Sequence, residues 1–279
     1  MSQHFTENIN DMDMHFEVLG EGEPLFFLHG FLNAGVLWEQ VKGIYAKDFL
    51  VVIPDLRGHG KSNNPSGITS HRQSALDIHA LIDHLGFDRI NGLGYSSGAA
   101  TLLHMAANKP DSIDTMVLTA PPEDFFETDE ARHQAFLKRL QEQKEALGQP
   151  KEPEISLGNM EEFLIRTFGG TKEKWRNRRT WHKGGDEQIL ALLNPNQLPL
   201  EIDDIGFTPS RLATISAKSL IVHGDRDPQV PVDRSFAFYK AIPDSYLWVV
   251  PNGFHVPYFG PIKDTFVETT LSFLKRSWN

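Results

Sequence analysis

At 279 residues, with 40% hydrophobic and 23% charged side chains, the chain can bury a large core and has the composition of a globular protein. A formal net charge of −10 argues against a nucleic-acid partner, whose phosphates are gripped by clustered Lys and Arg. The absence of cysteine excludes disulfides, a thiolate nucleophile and a Cys-ligated metal, and it fits a reducing compartment.

In chain order, the opening "MSQHFTENINDMDMHFEV" is polar and acidic and lacks the basic start and apolar run of a secretory signal; no strand is assigned to it. No later stretch approaches the roughly 20 apolar residues of a membrane span, so a cytoplasmic location is expected. Short continuous apolar runs then recur beside turn residues, in "PLFFLHG", "FLVVIPDLRGHG", "INGLGYSSG", "DTMVLTAPP", "KSLIVHGDRD" and "SYLWVVPNGFH". Continuous rather than alternating runs predict strands buried on both faces of a mostly parallel sheet. Between them, "SHRQSALDIHALIDHLG" spaces Ala75, Ile78, Leu81, Ile82 and Leu85 as a helix that ends at Gly86. "SGAATLLHMAANKP" predicts a second helix that stops before Pro110, and "DTFVETTLSFLKRSW" an amphipathic closing one. The alternation implies a doubly wound α/β sheet.

The pattern breaks between about Glu123 and Ser210, where strand-like runs give way to charged, helix-forming sequence such as "DEARHQAFLKRLQEQKEALG". "GQPKEPEI" is read as a turn between helices and "NPNQLPLEIDD" as a loop leading back out. Residues 122–210 are therefore expected to form a helical insertion into a core made of residues 1–121 and 211–279.

The stretch "INGLGYSSGAAT" offers two frames. Gly92-x-Gly94-x-x-Ser97 approaches a dinucleotide fingerprint, but its third glycine is missing. The next strand, "DTMVLTAPP", also ends without the ribose-binding acid that fingerprint needs. Gly94-Tyr95-Ser96-Ser97-Gly98 instead matches a nucleophile elbow, a tight strand-to-helix turn whose flanking positions admit only small residues. Centring the turn on Ser97 would put Tyr95 in a tight position, so Ser96 is the candidate nucleophile. Ser97 then opens the helix and offers its backbone N–H. A serine hydroxyl needs a histidine base oriented by a carboxylate. Asp227, in "HGDRDPQVP", and His255, in "VVPNGFHVP", both follow strands, where open α/β sheets gather their sites.

On "FFLHGF", "PDLRGHGKS", "GYSSGA", "HGDRDPQVP" and "NGFHVP" the chain resembles the α/β-hydrolase superfamily along nearly its whole length outside the insertion. The resemblance implies Ser96 as nucleophile, His255 as general base and acid, and Asp227 as orienting carboxylate, favoured over Asp225 by its spacing from Gly224. It implies an oxyanion hole from the backbone N–H groups of Phe31 and Ser97, a lid over 122–210, and neither cofactor nor metal. The chain departs from the family in "GFH", where a glycine often precedes the histidine, and in Ser97, where a larger residue is common. A small or medium carboxylic ester is the expected substrate. Leu32, Tyr95, Val230, Phe254 and Val256, with Phe31, would form an apolar wall for it. Lactone, amide and carbon–carbon hydrolysis, perhydrolysis, a hydroxynitrile-lyase-like activity and a ligand-sensing receptor remain open on the same scaffold. Epoxide hydrolases and haloalkane dehalogenases need an aspartate where Ser96 stands.

Among the remaining candidates, His29 and His59 are expected to pack and hydrogen-bond within loops, and His223 to be structural. Asp55 and Arg57 of "DLRGHG" are read as a bracing pair. Arg176, Arg178, Arg179 and Lys183 are read as a solvated helix face that could otherwise attract a carboxylate, and Trp175 and Trp181 as lid core.

Overall fold

The computed structural model describes residues 2–146, 155–194, 201–255 and 260–278. Eight strands form one sheet: β1 (Gln3–Ile9), β2 (Met12–Leu19), β3 (Glu23–Leu28), β4 (Phe49–Pro54), β5 (Ile90–Tyr95), β6 (Ile113–Thr119), β7 (Lys218–Gly224) and β8 (Ser245–Val250). Their spatial order is β1-β2-β4-β3-β5-β6-β7-β8. From β4 to β8 all neighbours run parallel, while β1 and β2 pair antiparallel with each other and β2 pairs antiparallel with β4. The doubly wound α/β class expected from the apolar runs is what forms.

Alternate side chains of each parallel strand feed two hydrophobic layers. Phe26 and Leu28 join Met116, Leu118 and Ile221 under α2 (His71–Leu85) and α3 (Ser97–Asn108). Leu25 and Phe27 join Leu93, Val117 and Leu220 on the opposite face, under Trp38 and Tyr45 and the closing helix. Tyr45 ends the short α1 (Lys42–Tyr45). Both faces being covered explains why the strand sequences are apolar throughout; each fully buried Phe contributes about 2–3 kcal/mol.

The hairpin β1–β2 is a departure from the sequence reading. Its turn is Asn10-Asp11, both at positive φ (48° and 62°), as a two-residue hairpin turn requires. Met12, Met14 and Phe16 face the core, while β1 is exposed nearly throughout. An edge strand with one wet face carries few apolar residues, so it looks like a polar leader.

Between β6 and β7 the described residues form α4 (Asp129–Ala146), α5 (Met160–Phe168), α6 (Lys172–Arg179), α7 (Gly185–Leu193) and α8 (Pro209–Leu212), and none of the eight strands. The entry and exit of this stretch are stapled by a bridge: Phe126 N–H donates to Phe207 O and Phe207 N–H to Asp124 O, both at 2.8 Å. Leu164, Trp175, Ile189 and Leu192 build a separate small core that also takes in Leu32 from the loop after β3. The turn expected at "GQPKEPEI" and most of the loop at "NPNQLPLEIDD" lie outside the described residues. After β7 come α9 (Val232–Ala241), β8 and α10 (Lys263–Leu274). No helix among the described residues is long and apolar enough to cross a membrane.

Candidate active site

From β3 the chain passes to β4 on one side, then crosses to β5 on the other, so the carboxyl ends of β3 and β5 border a crevice where the winding reverses. Ser96 sits there, between the end of β5 and the start of α3, at φ 51° and ψ −117°, a conformation costly for a residue with a Cβ. The surroundings impose it. Ser96 N–H donates to Thr119 O at 2.8 Å, and Ser96 O receives Ala100 N–H at 3.0 Å. The turn is so tight against β3 that a Cβ on Gly98 would lie 2.1 Å from Leu28 O.

The loops after β7 and β8 are drawn together in the same way. A Cβ on Gly224 would lie 2.3 Å from Gly253 C, and Arg226 N–H donates to Gly253 O at 2.9 Å. This closeness brings Asp227 to His255, whose Nδ1 donates to Asp227 Oδ2 at 2.7 Å; His255 Nε2 accepts from Ser96 Oγ at 3.1 Å. Ser96 and His255 are buried, 9% and 6% exposed, as is the side chain of Asp227, at 1%. Asp227 Oδ1 receives the backbone N–H of Gln229 and Val230 at 2.8 and 3.0 Å. Burial alone would push the Asp227 carboxyl up, but hydrogen bonds from His223 and His255 and the proximity of His255 hold it well below the usual carboxylate range.

His223, expected to be structural, stands beside Asp227 as a partner that the sequence analysis did not assign to it. Its Nε2 donates to Val230 O at 3.0 Å and stands 3.3 Å from Asp227 Oδ2, while Nδ1 accepts from Ser235 Oγ at 2.7 Å. The four-residue spacing of His223 and Asp227 was the available signal. Asp225, the rival acid, is exposed to 35% at its side chain, with Arg226 3.9 Å away.

Two cavities meet at Ser96. The larger, of about 670 Å³, is lined by Phe31, Ser96, Ser97, Val230 and His255 at one end and by His71, Arg72, His104 and Glu123 elsewhere. The smaller, of about 90 Å³, lies toward α6 and is lined by Leu32, Tyr95, Lys174, Trp175 and Arg178. Phe31, Leu32, Tyr95 and Val230 of the expected apolar wall thus border one cavity or the other. Phe254 does not: it lines neither cavity and is 67% exposed. Successive side chains of an extended loop point to opposite sides, and His255 takes the inward one. Val256 lies outside the described residues.

The basic cluster divides by helix face. Arg176 pairs with Glu161 and Arg179 with Asp186, both at 3.0 Å, while Arg178 and Lys174, four residues apart on α6, turn toward the small chamber. Arg178 lies against the Trp175 and Trp181 rings, 4.9 and 5.6 Å from their centres. Trp181 and Lys183 border a separate groove.

Asp55 and Arg57 are not partners. Asp55 receives Gly35 N–H at 2.7 Å and Lys61 N–H at 2.9 Å, whereas Arg57 forms a bidentate pair with Asp77 of α2 at 2.6 and 2.7 Å. His29 receives Leu56 N–H at Nε2 (3.0 Å) and donates from Nδ1 to Gly30 O (2.8 Å), and His59 donates to Arg57 O (2.9 Å). Burial lowers the pKa of both imidazoles, so they brace the loop beside Phe31 as neutral rings.

The sequence profile of the family described as alpha/beta hydrolase fold matches residues 23–261. The chain belongs to that family. This α/β-hydrolase chain is 32% identical over 115 residues to a soluble epoxide hydrolase from Corynebacterium sp. (strain C12), a match covering 41% of the chain and only 40% of that protein. It is 30% identical over 259 residues, 88% of the chain and 86% of the relative, to 2-hydroxy-6-oxononadienedioate/2-hydroxy-6-oxononatrienedioate hydrolase 2 from Pseudomonas putida. Among solved structures, a serine hydrolase from the polyaromatic hydrocarbon-degrading bacterium Cycloclasticus zankles superposes over 100% of both chains with a TM-score of 0.75 at 18% identity, a likeness of fold.

Proposed function

We propose that this chain is a serine hydrolase of carboxylic esters, working through Ser96, His255 and Asp227. The observation that carries the reading is the unbroken chain of hydrogen bonds Asp227–His255–Ser96, at 2.7 and 3.1 Å. His255 Nε2 takes the Ser96 proton as Oγ attacks the acyl carbon, and Asp227 holds the imidazole in that tautomer and stabilises the imidazolium. Ser97 opens α3, so its N–H has no acceptor within the helix and points at the developing oxyanion; the Phe31 N–H is the second donor. His255 then protonates the leaving alcohol, and water activated by the same ring clears the acyl-enzyme. Every step is supplied by these groups, so the reaction needs neither metal nor cofactor. The helices of 122–210 act as a lid over the serine, and a cavity of about 670 Å³ suits a small or medium acyl group.

The second reading keeps the same residues and breaks a carbon–carbon bond beside a ketone. It is favoured by the Pseudomonas putida relative, named for a 2-hydroxy-6-oxo dioate. The epoxide hydrolase match is not carried over, because a serine cannot serve as the carboxylate nucleophile of an alkyl-enzyme route.

A fluorophosphonate probe is expected to label the protein at Ser96, and Ser96→Ala to lose both labelling and turnover of p-nitrophenyl esters while melting at the same temperature. Undiminished turnover by Ser96→Ala sinks the assignment. Lactones and β-diketones run in parallel separate the two readings by which product appears.

A further inference from the structure

One charged cluster of the large cavity has no part in this chemistry. Glu123 follows β6 and is 8% exposed. Its Oε1 receives His71 Nδ1, at the start of α2, and lies 3.4 Å from His104 Nε2 of α3. No hydrogen bond from the described residues reaches its Oε2, and Glu123 lines the large cavity. The carboxyl stays ionised: burial alone would raise its pKa, but the charge of His71 and hydrogen bonds from His104 and His71 hold it far below the usual range.

The other charges of the lining are matched. Arg57 is taken by Asp77, and Arg72 lies 3.3 Å from Asp204 and 2.9 Å from Glu201. Glu123 alone among the lining carboxylates has no Arg or Lys within ion-pair distance among the described residues. Its backbone is also preset: Arg234 donates to Pro122 O and pairs with Asp124 at 2.9 Å, and Asp124 O receives Phe207 N–H. A carboxylate oxygen left without a protein donor at a cavity wall is an acceptor that water, or a ligand N–H or O–H, can fill. A metal is a poor occupant, since among the described residues no three His, Asp or Glu are arranged to hold one.

We propose that Glu123 is a specificity-determining residue whose free Oε2 receives an N–H or O–H donor, a protonated amine or a hydroxyl, at the substrate end remote from the bond Ser96 attacks. The placing of the two ends rests on the reading of Ser96 as nucleophile. A donor there completes the hydrogen bonding of a preformed, ionised acceptor, whereas a methyl group leaves it desolvated and a carboxylate is repelled.

The test titrates methyl esters of ω-amino, ω-hydroxy, ω-methyl and ω-carboxy acids, over a ladder of chain lengths, into Ser96→Ala protein by calorimetry. At the best-fitting length the amino or hydroxy ester is expected to bind about tenfold more tightly than the methyl-ended one, and the double variant Ser96→Ala, Glu123→Gln to bring that ratio near one. The amino and hydroxy arms tell a charged donor from a neutral one. The preference is a ratio within one preparation, so partial loss of folded protein does not move it. Should Glu123→Gln not fold, Glu123→Asp, which withdraws the carboxylate by one methylene, must lower the same ratio. No binding of any ester, preference for methyl- or carboxy-ended tails, or an undiminished ratio in the variant overturns the proposal. Turnover of the same esters by protein retaining Ser96 is read separately. Preference without turnover keeps the subsite and removes the hydrolase reading; turnover without preference does the reverse.

Discussion

Asp227 has both carboxylate oxygens engaged, one by two backbone N–H groups and the other by His255 with His223 close by. Asp227→Asn keeps the shape but presents an amide, which favours the wrong imidazole tautomer. Turnover of p-nitrophenyl esters is expected to fall by on the order of 10³–10⁴ in kcat. Asp225→Asn, at an exposed and weakly paired side chain, is expected to stay within a few-fold of the parent. The reverse ranking in steady-state kinetics would assign the acid to Asp225. The sequence named both aspartates and favoured Asp227 by its spacing from Gly224, but it could not show that Asp227 also carries His223. Nor could it show that Phe254 faces solvent, because inward and outward positions of a loop have no periodicity to reveal them.

At the scale of elements, the β5–α3 turn depends on close packing more than on glycine's conformational freedom. Gly98→Ala puts a Cβ 2.1 Å from Leu28 O and 2.5 Å from Leu28 C, backbone atoms that cannot yield cheaply. A loss of about 3 kcal/mol in urea unfolding, with slower fluorophosphonate labelling, is expected as β3 and α3 are forced apart. Gly43→Ala is the control. Gly43 lies in α1, and no atom stands within 4 Å of the place its methyl would take, so the change should stabilise by about 0.5–1 kcal/mol. Equal effects at the two sites would remove the packing explanation. The elbow was legible because its constraint is local. The β1–β2 hairpin was not: only one of its faces is buried, and its turn, Asn10-Asp11, carries no glycine to mark it.

For the molecule as a whole, several imidazoles are buried as neutral rings. Burial lowers His79 and His182 from 6.5 to about 4. Between those values the unfolded chain binds protons that the folded chain refuses, so stability falls as the pH drops from 6.5 toward about 4. The loss is up to about 3 kcal/mol for each ring. Asp227 and Glu123, both held low, contribute stability that is present above their unfolded values of 3.8 and 4.5 and is lost as the pH falls below them. Denaturant unfolding at neutral pH and near pH 5 should show a lower midpoint at the acid end with an unchanged slope. A flat profile across that interval contradicts the buried-neutral assignment.

The sequence by itself determined the alternation of buried strands and helices, the elbow around Ser96, and the order serine, aspartate, histidine. These are properties of short segments, fixed by side-chain periodicity and by the space around a tight turn. Only the tertiary structure decided which groups meet. Ser96 and His255 are 159 positions apart and His255 and Asp227 are 28 apart, and their contacts follow from the order and register of the strands. The same holds for Glu123, an ordinary acidic residue after β6 until α2 and α3 bring His71 and His104 to one of its oxygens at the wall of the large cavity. Covalent neighbours set local shape, whereas the charge and solvation of a site are set by residues that the sheet brings together from distant parts of the chain.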